Sequence, residues 1–272
     1  MRVVSLLPSA TDIVVDLGGG DDLIGVSHSC SGDWGHLPKL TSTWIDTSSS
    51  AAEIDRQVTS ANRPLYQLDI DTLERLAPDV VISQSLCDVC AVPVGDVREG
   101  VLALSSRPKL VDLSPFGLAD VPVCFEQVGE AIGRGREAAV LTKQWDRTLE
   151  GYKGVHAQTG LRVAFLDWLD PPFISGHWVP EMVELLGLAN VLGKAREPSF
   201  KVSWEKVEAA KPDLIIAAAC GFDASRAQSD RIPLSVPVIH LDGHLHFSRP
   251  SPALMSSLHM LCDAIAEFME IA

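Results

Sequence analysis

The chain holds six cysteines, and four of them stand where chemistry is usually done. Cys87 and Cys90 lie three residues apart in Ser83-Gln84-Ser85-Leu86-Cys87-Asp88-Val89-Cys90-Ala91, just after the apolar run Val80-Val81-Ile82. That run reads as a short buried strand. The space beyond a strand's carboxyl end is where open α/β sheets take ligands. Two thiols so spaced can turn toward one point, and in a reducing compartment the pair signals metal or redox chemistry more than a structural disulfide. Cys30 and Cys220 also follow expected strands, and His28 precedes Cys30 by two residues. Four thiolates on one cleft suit zinc or a four-iron cluster, with His28 able to replace one of them. A single CxxC leaves the bland alternative open, in which each cysteine is a small buried residue at a strand end. Cys124 and Cys262 fall inside helical apolar patterns and read as inert core thiols.

A second group is aromatic. Trp34, Trp44, Tyr66, Trp168, Phe173, Trp178, Phe222 and Phe247 lie mostly in loops just after strands. Such residues wall a pocket for a large flat ligand, although core filling explains any one of them as well. In Gly176-His177-Trp178-Val179-Pro180-Glu181, Gly176 permits a close approach and Pro180 suits a first helical turn. His177 reads either as a ligand to a metal or as a hydrogen-bonding residue of its loop. In Asp242-Gly243-His244-Leu245-His246-Phe247-Ser248-Arg249-Pro250, His244 and His246 share one face of an extended segment. Arg249 stands at the same edge, to meet a ligand or to pair with a carboxylate. There is no G-x-G-x-x-G after the first strand, no G-x-x-x-x-G-K-[ST] and no G-x-S-x-G. Nucleotide and hydrolase chemistry of these kinds is therefore unsupported, and an enzyme is the less expected reading.

The elements that must position these residues alternate in type. Strands are expected at 2–7, 23–26, 64–68, 80–82 and 110–113, with helices at 13–17, 53–61 and 70–76 and a polar loop over 31–50. A second set follows: strands at 161–166, 214–218 and 236–241, and helices at 178–186, 204–210 and 252–271. Leu76-Ala77-Pro78-Asp79-Val80-Val81-Ile82 is echoed by Ala210-Lys211-Pro212-Asp213-Leu214-Ile215-Ile216, each followed by cysteine. Between the sets, Val121, Phe125, Val128, Ile132, Ala139, Leu141, Trp145 and Leu149 recur at helical steps, weakened by Gly129, Gly133 and Gly135. The expected architecture is α/β: an N-terminal lobe over 1–117, a spanning helix over 118–157 and a C-terminal lobe over 158–272. The ligand cleft lies between the lobes, with the cysteine loops on its facing edges.

Composition narrows the function classes. Hydrophobic residues make up 46% and charged residues 21% of the 272, enough for a sizeable core. The net charge of −14 opposes a nucleic-acid partner. No apolar stretch approaches ~20 residues, so no membrane span is expected. Ser5 and Pro8 break the opening apolar run, no signal peptide is read, and a cytoplasmic location is expected.

Taken together, these motifs make the chain resemble the substrate-binding proteins of cobalamin and ferric-siderophore ABC importers. Arg2-Val3-Val4-Ser5-Leu6-Leu7-Pro8-Ser9-Ala10-Thr11-Asp12 is similar to that family's first strand and helix, and the likeness covers nearly the whole length. It is closer to a leaderless branch named for cobalamin binding, on His28 to Cys30, Leu86 to Cys90, Trp168 to Phe173, Gly176 to Met182, Cys220 to Phe222 and Phe247 to Pro250. That branch continues Ser-Arg-Pro-Gly-Pro-Arg, whereas this chain reads Ser248-Arg249-Pro250-Ser251-Pro252-Ala253 and lacks the final Arg. The resemblance implies two lobes on a helical backbone, an ABC permease as partner and a metal chelate such as cobalamin as ligand. The ligand-binding set is then Trp44, Tyr66, Trp168, Phe173, His177, Trp178, Phe222, His246 and Arg249, with His177 or His246 axial to the metal. The rival expectation is a cytosolic metalloprotein in which Cys30, Cys87, Cys90, Cys220 and His28 supply the ligands of an iron–sulfur cluster or zinc.

Overall fold

A computed structural model describes residues 1–86 and 92–271. In chain order the first elements are β1 (Val3–Ser5), α1 (Pro8–Asp16), β2 (Leu23–Val26), β3 (Thr41–Thr43), α2 (Ala51–Thr59), β4 (Tyr66–Leu68), α3 (Ile70–Leu76), β5 (Val80–Gln84), α4 (Val94–Ala103) and β6 (Lys109–Leu113). Two helices follow, α5 (Val121–Ala131) and α6 (Gly135–Tyr152). The remainder is β7 (Arg162–Leu169), β8 (Pro172–Ile174), α7 (Val179–Leu185), β9 (Ala189–Asn190), β10 (Phe200–Lys201), α8 (Trp204–Ala209), β11 (Leu214–Ala217), α9 (Ala224–Ala227), β12 (Val238–His240) and α10 (Leu254–Ile271). The chain forms two compact units. One comprises Met1–Asp46, Arg56–Pro115 and Ala119–Gln144, and the other Thr47–Asp55, Phe116–Leu118 and Trp145–Ala272.

The first unit is built on a parallel sheet of order β2-β1-β5-β6, with β3 and β4 as a separate antiparallel pair. All five residues of β5 are buried, as a parallel strand covered on both faces requires. Val4, Leu6, Leu40, Leu73, Val81, Val97 and Val101 form its core. The second unit carries a mixed sheet of order β10-β8-β7-β11-β12, in which β7, β11 and β12 run parallel. Phe165, Leu166, Leu169, Met182, Ile215, Ile216 and Leu258 are fully sealed in its core.

The repeated Pro-Asp turn performs the same task in each unit. The Arg2 amide donates to Asp79 Oδ2 at 2.8 Å, and the Arg162 amide donates to Asp213 Oδ2 at 2.9 Å. Each arginine side chain then caps the preceding helix, Arg2 at Leu76 O and Arg162 at Lys211 O, both at 3.0 Å. These bonds satisfy helix-end carbonyls that would otherwise lack partners. The turn thus fixes the amino end of each central strand and leaves its carboxyl end free for loops.

The span expected as a helix over 118–157, with a break left open near its glycines, is two helices. α5 ends at Ala131 with Ile132 as its C-cap, Gly133 takes the left-handed angle φ 72°, and α6 starts at Gly135. A left-handed glycine after the last helical residue is a stop signal that outweighs the apolar period across it. The Trp34-containing loop expected over 31–50 includes the short strand β3, and α4 was not expected at all. Gly95 and Gly100 dilute its pattern, and burial of Val97 and Val101 supplies what propensity lacks. Among the described residues no helix is long and apolar enough to cross a membrane.

Replacing Gly133 by alanine forces an L residue into the left-handed region, at a cost of about 1–2 kcal/mol. Thermal denaturation of Gly133→Ala should show a Tm lower by a few degrees. An unchanged Tm would mean that the interruption is set by packing and not by this backbone angle.

Candidate functional site

In the first unit the carboxyl ends of β1 and β2 are lined by hydroxyl groups and one imidazole. Ser27 Oγ lies 2.9 Å from Thr41 Oγ1, the His28 amide donates to Thr41 Oγ1 at 3.0 Å, and His28 Nδ1 lies 2.7 Å from the same oxygen. Tyr66 of β4 places its ring 5.7 Å from that of His28. Burial, with a smaller contribution from Lys39, holds the His28 imidazole below its ordinary range, so it is neutral near pH 7. Tyr66 also lines a pocket of about 370 Å³ together with Arg63, Pro64, Gln67, Leu68, Ile70, Val92 and Asp96. Trp44 supports that rim: its Nε1 donates to Pro64 O at 2.9 Å, and the Arg63 guanidinium lies 4.6 Å above its ring.

Cys30 ends a closed relay. Ser5 Oγ donates to Leu7 O at 2.9 Å and Thr11 Oγ1 donates to Ser5 Oγ at 2.8 Å, so both hydroxyl protons are spent. The 3.1 Å contact of Thr11 Oγ1 with Cys30 Sγ then takes its proton from the thiol. Burial also raises the Cys30 pKa, so the residue is a protonated, buried thiol. Metal ligation needs the thiolate. Cys124 is likewise buried, its pKa pushed up to about 12 by desolvation, with the Asp120 carboxylate adding to it. Cys220 is half-buried at the end of β11, its amide donating to Asp167 O at 2.9 Å. Cys87 and Cys90 lie outside the described residues. Among the described residues, no three His, Cys, Asp or Glu side chains gather as a metal-ligand group. The expected quartet with His28 therefore has no support from Cys30.

The second unit presents aromatic and acidic groups at the carboxyl end of β7 and beyond β11. The Trp168 and Phe222 rings sit 5.0 Å apart, and the Arg226 guanidinium stacks on Phe222 at 3.7 Å. Phe173 is half-buried on β8 opposite Trp168. Trp178 is a core residue, 5% exposed, whose Nε1 donates to Phe247 O at 2.8 Å. Asp167 accepts a short hydrogen bond from the Ser199 hydroxyl, and desolvation pushes its carboxyl up to about 6. Sequence reading passed over Asp167, although a lone carboxylate inside Val163-Ala164-Phe165-Leu166-Asp167-Trp168-Leu169 was the available signal.

The histidines of this unit differ sharply. His177 adopts φ 52°, its amide donates to Glu197 O at 2.7 Å, and its carbonyl accepts from the Arg196 amide at 2.9 Å. Its Nε2 is sealed, with no hydrogen-bond partner among the described residues. A Cβ on the neighbouring Gly176 would stand 2.2 Å from Glu197 O, so the close approach expected of this glycine is to backbone. Arg249, 7% exposed, donates to His244 Nε2 at 3.0 Å. His246 is half-buried, with Nδ1 3.2 Å from Ser257 Oγ.

Asp167 has a measurable signature. Its folded pKa of about 6 exceeds the ordinary 3.8, so the native state holds this proton more tightly than the unfolded chain. The group therefore favours folding only at low pH and costs stability as pH rises through about 6. Asp167→Asn, which still accepts from Ser199, should raise Tm at about pH 7.5, with the gain shrinking to nothing near about pH 4. A gain independent of pH, or a loss at pH ~7.5, would contradict the assignment.

Comparison with known proteins agrees with this geometry. Residues 3–231 match the family model described as periplasmic binding protein. The vitamin B12-binding protein of Yersinia pseudotuberculosis is 22% identical over 276 residues, covering 97% of this chain and 86% of that protein. Among solved structures, the periplasmic vitamin B12 binding protein of Vibrio cholerae aligns with a TM-score of 0.62 at 20% identity, over 96% of this chain and 95% of that one. The periplasmic heme binding protein of Vibrio cholerae aligns with a TM-score of 0.72 at 15% identity, over 97% and 98%. Both structural likenesses show the two-sheet α/β fold described above. The chain belongs to the periplasmic binding protein family.

Proposed function

We propose that this protein is a substrate-binding protein for a corrinoid, cobalamin or a close analogue, and that it serves an ABC-type permease. The observation that carries the reading is the full-length likeness to a vitamin B12-binding protein, over 97% of this chain. The surfaces support it. A corrinoid is a broad, flat macrocycle edged with amide arms, and it calls for aromatic walls with scattered hydrogen-bonding groups. The first unit by itself offers Tyr66, His28 and Thr41 beside a pocket of about 370 Å³. The second unit by itself offers Trp168 beside Phe222 and the acceptor Asp167.

Heme, the ligand named for the Vibrio cholerae relative, is the competing cargo. It carries carboxylates, and the second unit's edge is already acidic. Burial raises the Asp230 carboxyl and the Asp170 charge raises it further, while the Arg226 cation, the one positive group acting on it among the described residues, lowers it. A third carboxylate brought there is repelled, whereas an amide is not. Cluster or zinc binding by Cys30, Cys87, Cys90 and Cys220 is a third outcome, which metal analysis separates from the other two.

Titration of the purified protein with hydroxocobalamin, followed by calorimetry, should give saturable one-to-one binding with Kd about micromolar or tighter. Tyr66→Ala should weaken it roughly tenfold through loss of the aromatic wall. Heme should compete poorly. Absence of corrinoid binding, preference for heme, or stoichiometric iron and sulfide in the purified protein would overturn the proposal.

A further inference from the structure

We infer that His246 donates its Nε2 lone pair to the metal at the centre of the bound ligand. The inference rests on the corrinoid reading above and names the contact that reading leaves open. Its basis is the hydrogen-bond bookkeeping around Ser257. The Ser257 hydroxyl donates its one proton to Ala253 O at 3.0 Å, and its oxygen lies 3.2 Å from His246 Nδ1. Both bonds exist together only when Nδ1 carries the imidazole proton and donates it to Ser257. The tautomer is thereby fixed, and Nε2 is the basic nitrogen. Metal-ligating histidines are typically oriented in this way, with the far N–H held by a fixed acceptor.

Among the other imidazoles near this edge, His177 Nε2 and His240 Nδ1 are sealed without a partner, and His244 Nε2 accepts from Arg249. His246 Nε2 makes no hydrogen bond among the described residues and is not among the sealed, partnerless nitrogens. The residue stands just beyond β12, the carboxyl end of a parallel strand, where such sheets take ligands. Its segment is pinned on both sides. The His244 amide donates to Phe222 O at 3.1 Å, and Phe247 O accepts from Trp178 Nε1 at 2.8 Å. The step is a ligand exchange: a metal-bound water departs, the Nε2 lone pair forms the new bond, and neither the metal's oxidation state nor any protonation changes.

Diaquocobinamide, a corrinoid lacking its nucleotide base, tests this directly. Bound to the wild-type protein it should show the visible-band shift that free imidazole produces. His246→Ala should abolish the shift and weaken binding by at least about tenfold, and added imidazole should restore the shift. Ser257→Ala keeps the ring but frees it, and should retain the shift with affinity reduced by about tenfold. Wild-type protein that binds cobinamide with its aquo spectrum unchanged would overturn the assignment while leaving the corrinoid reading intact. Retention of the shift in His246→Ala would do the same. Failure to bind any corrinoid would overturn both.

Discussion

Burial of both faces of a parallel sheet governs what this chain can do with its polar residues. All five residues of β5 and all four of β11 are buried, so neither strand has a wet face on which to carry chemistry. Polar groups are forced to the strand ends. At the amino ends they are consumed by structure, where Arg2 and Arg162 bind the Pro-Asp turns. Only the carboxyl ends remain, and there Ser27, His28, Thr41, Asp167, His244 and His246 accumulate. The same division recurs in two units of different strand order, so it follows from sheet chemistry and not from one local accident.

Hydrogen-bond direction decides the roles within those edges. The relay from Cys30 through Thr11 and Ser5 to Leu7 O runs one way, because each hydroxyl has a single proton to give. Breaking it to expose a thiolate would strand buried groups, at about 1–3 kcal/mol each. The same rule applied at Ser257 gives the opposite result for His246, a basic nitrogen with no hydrogen-bond partner among the described residues. Asp167 shows the cost of holding such chemistry. Its carboxyl is kept where its charge is disfavoured, a common feature of binding and catalytic surfaces.

Much of this was legible before any coordinates. The apolar runs at Val80–Ile82 and Leu214–Ala217 declare buried strands, and the repeated Pro-Asp turn marks two related units. Trp168 and His246 drew attention in the sequence because large or ionisable residues stood past the expected strands at 161–166 and 236–241. What could not be read is equally physical. Two- and three-residue strands such as β3, β8, β9 and β10 are too short to show a period. The helix break at Gly133 depends on a backbone angle that an apolar repeat does not report. Trp178 and His177 look like ligand residues in sequence, and only three-dimensional packing reveals that one fills core and the other is sealed. The cysteine set is not legible in this way, since spacing carries no information about which thiol keeps its proton.

The central claim is that ligand is met by the polar groups at the carboxyl ends of parallel strands, and not by those at their amino ends. Hydrogen–deuterium exchange with and without hydroxocobalamin tests it most directly. The account predicts slowed exchange in peptides spanning 27–30, 41–44 and 64–68 of the first unit and 166–170, 220–222 and 242–249 of the second. Protection confined to the opposite strand ends, around the turns at 76–80 and 210–214, would contradict it.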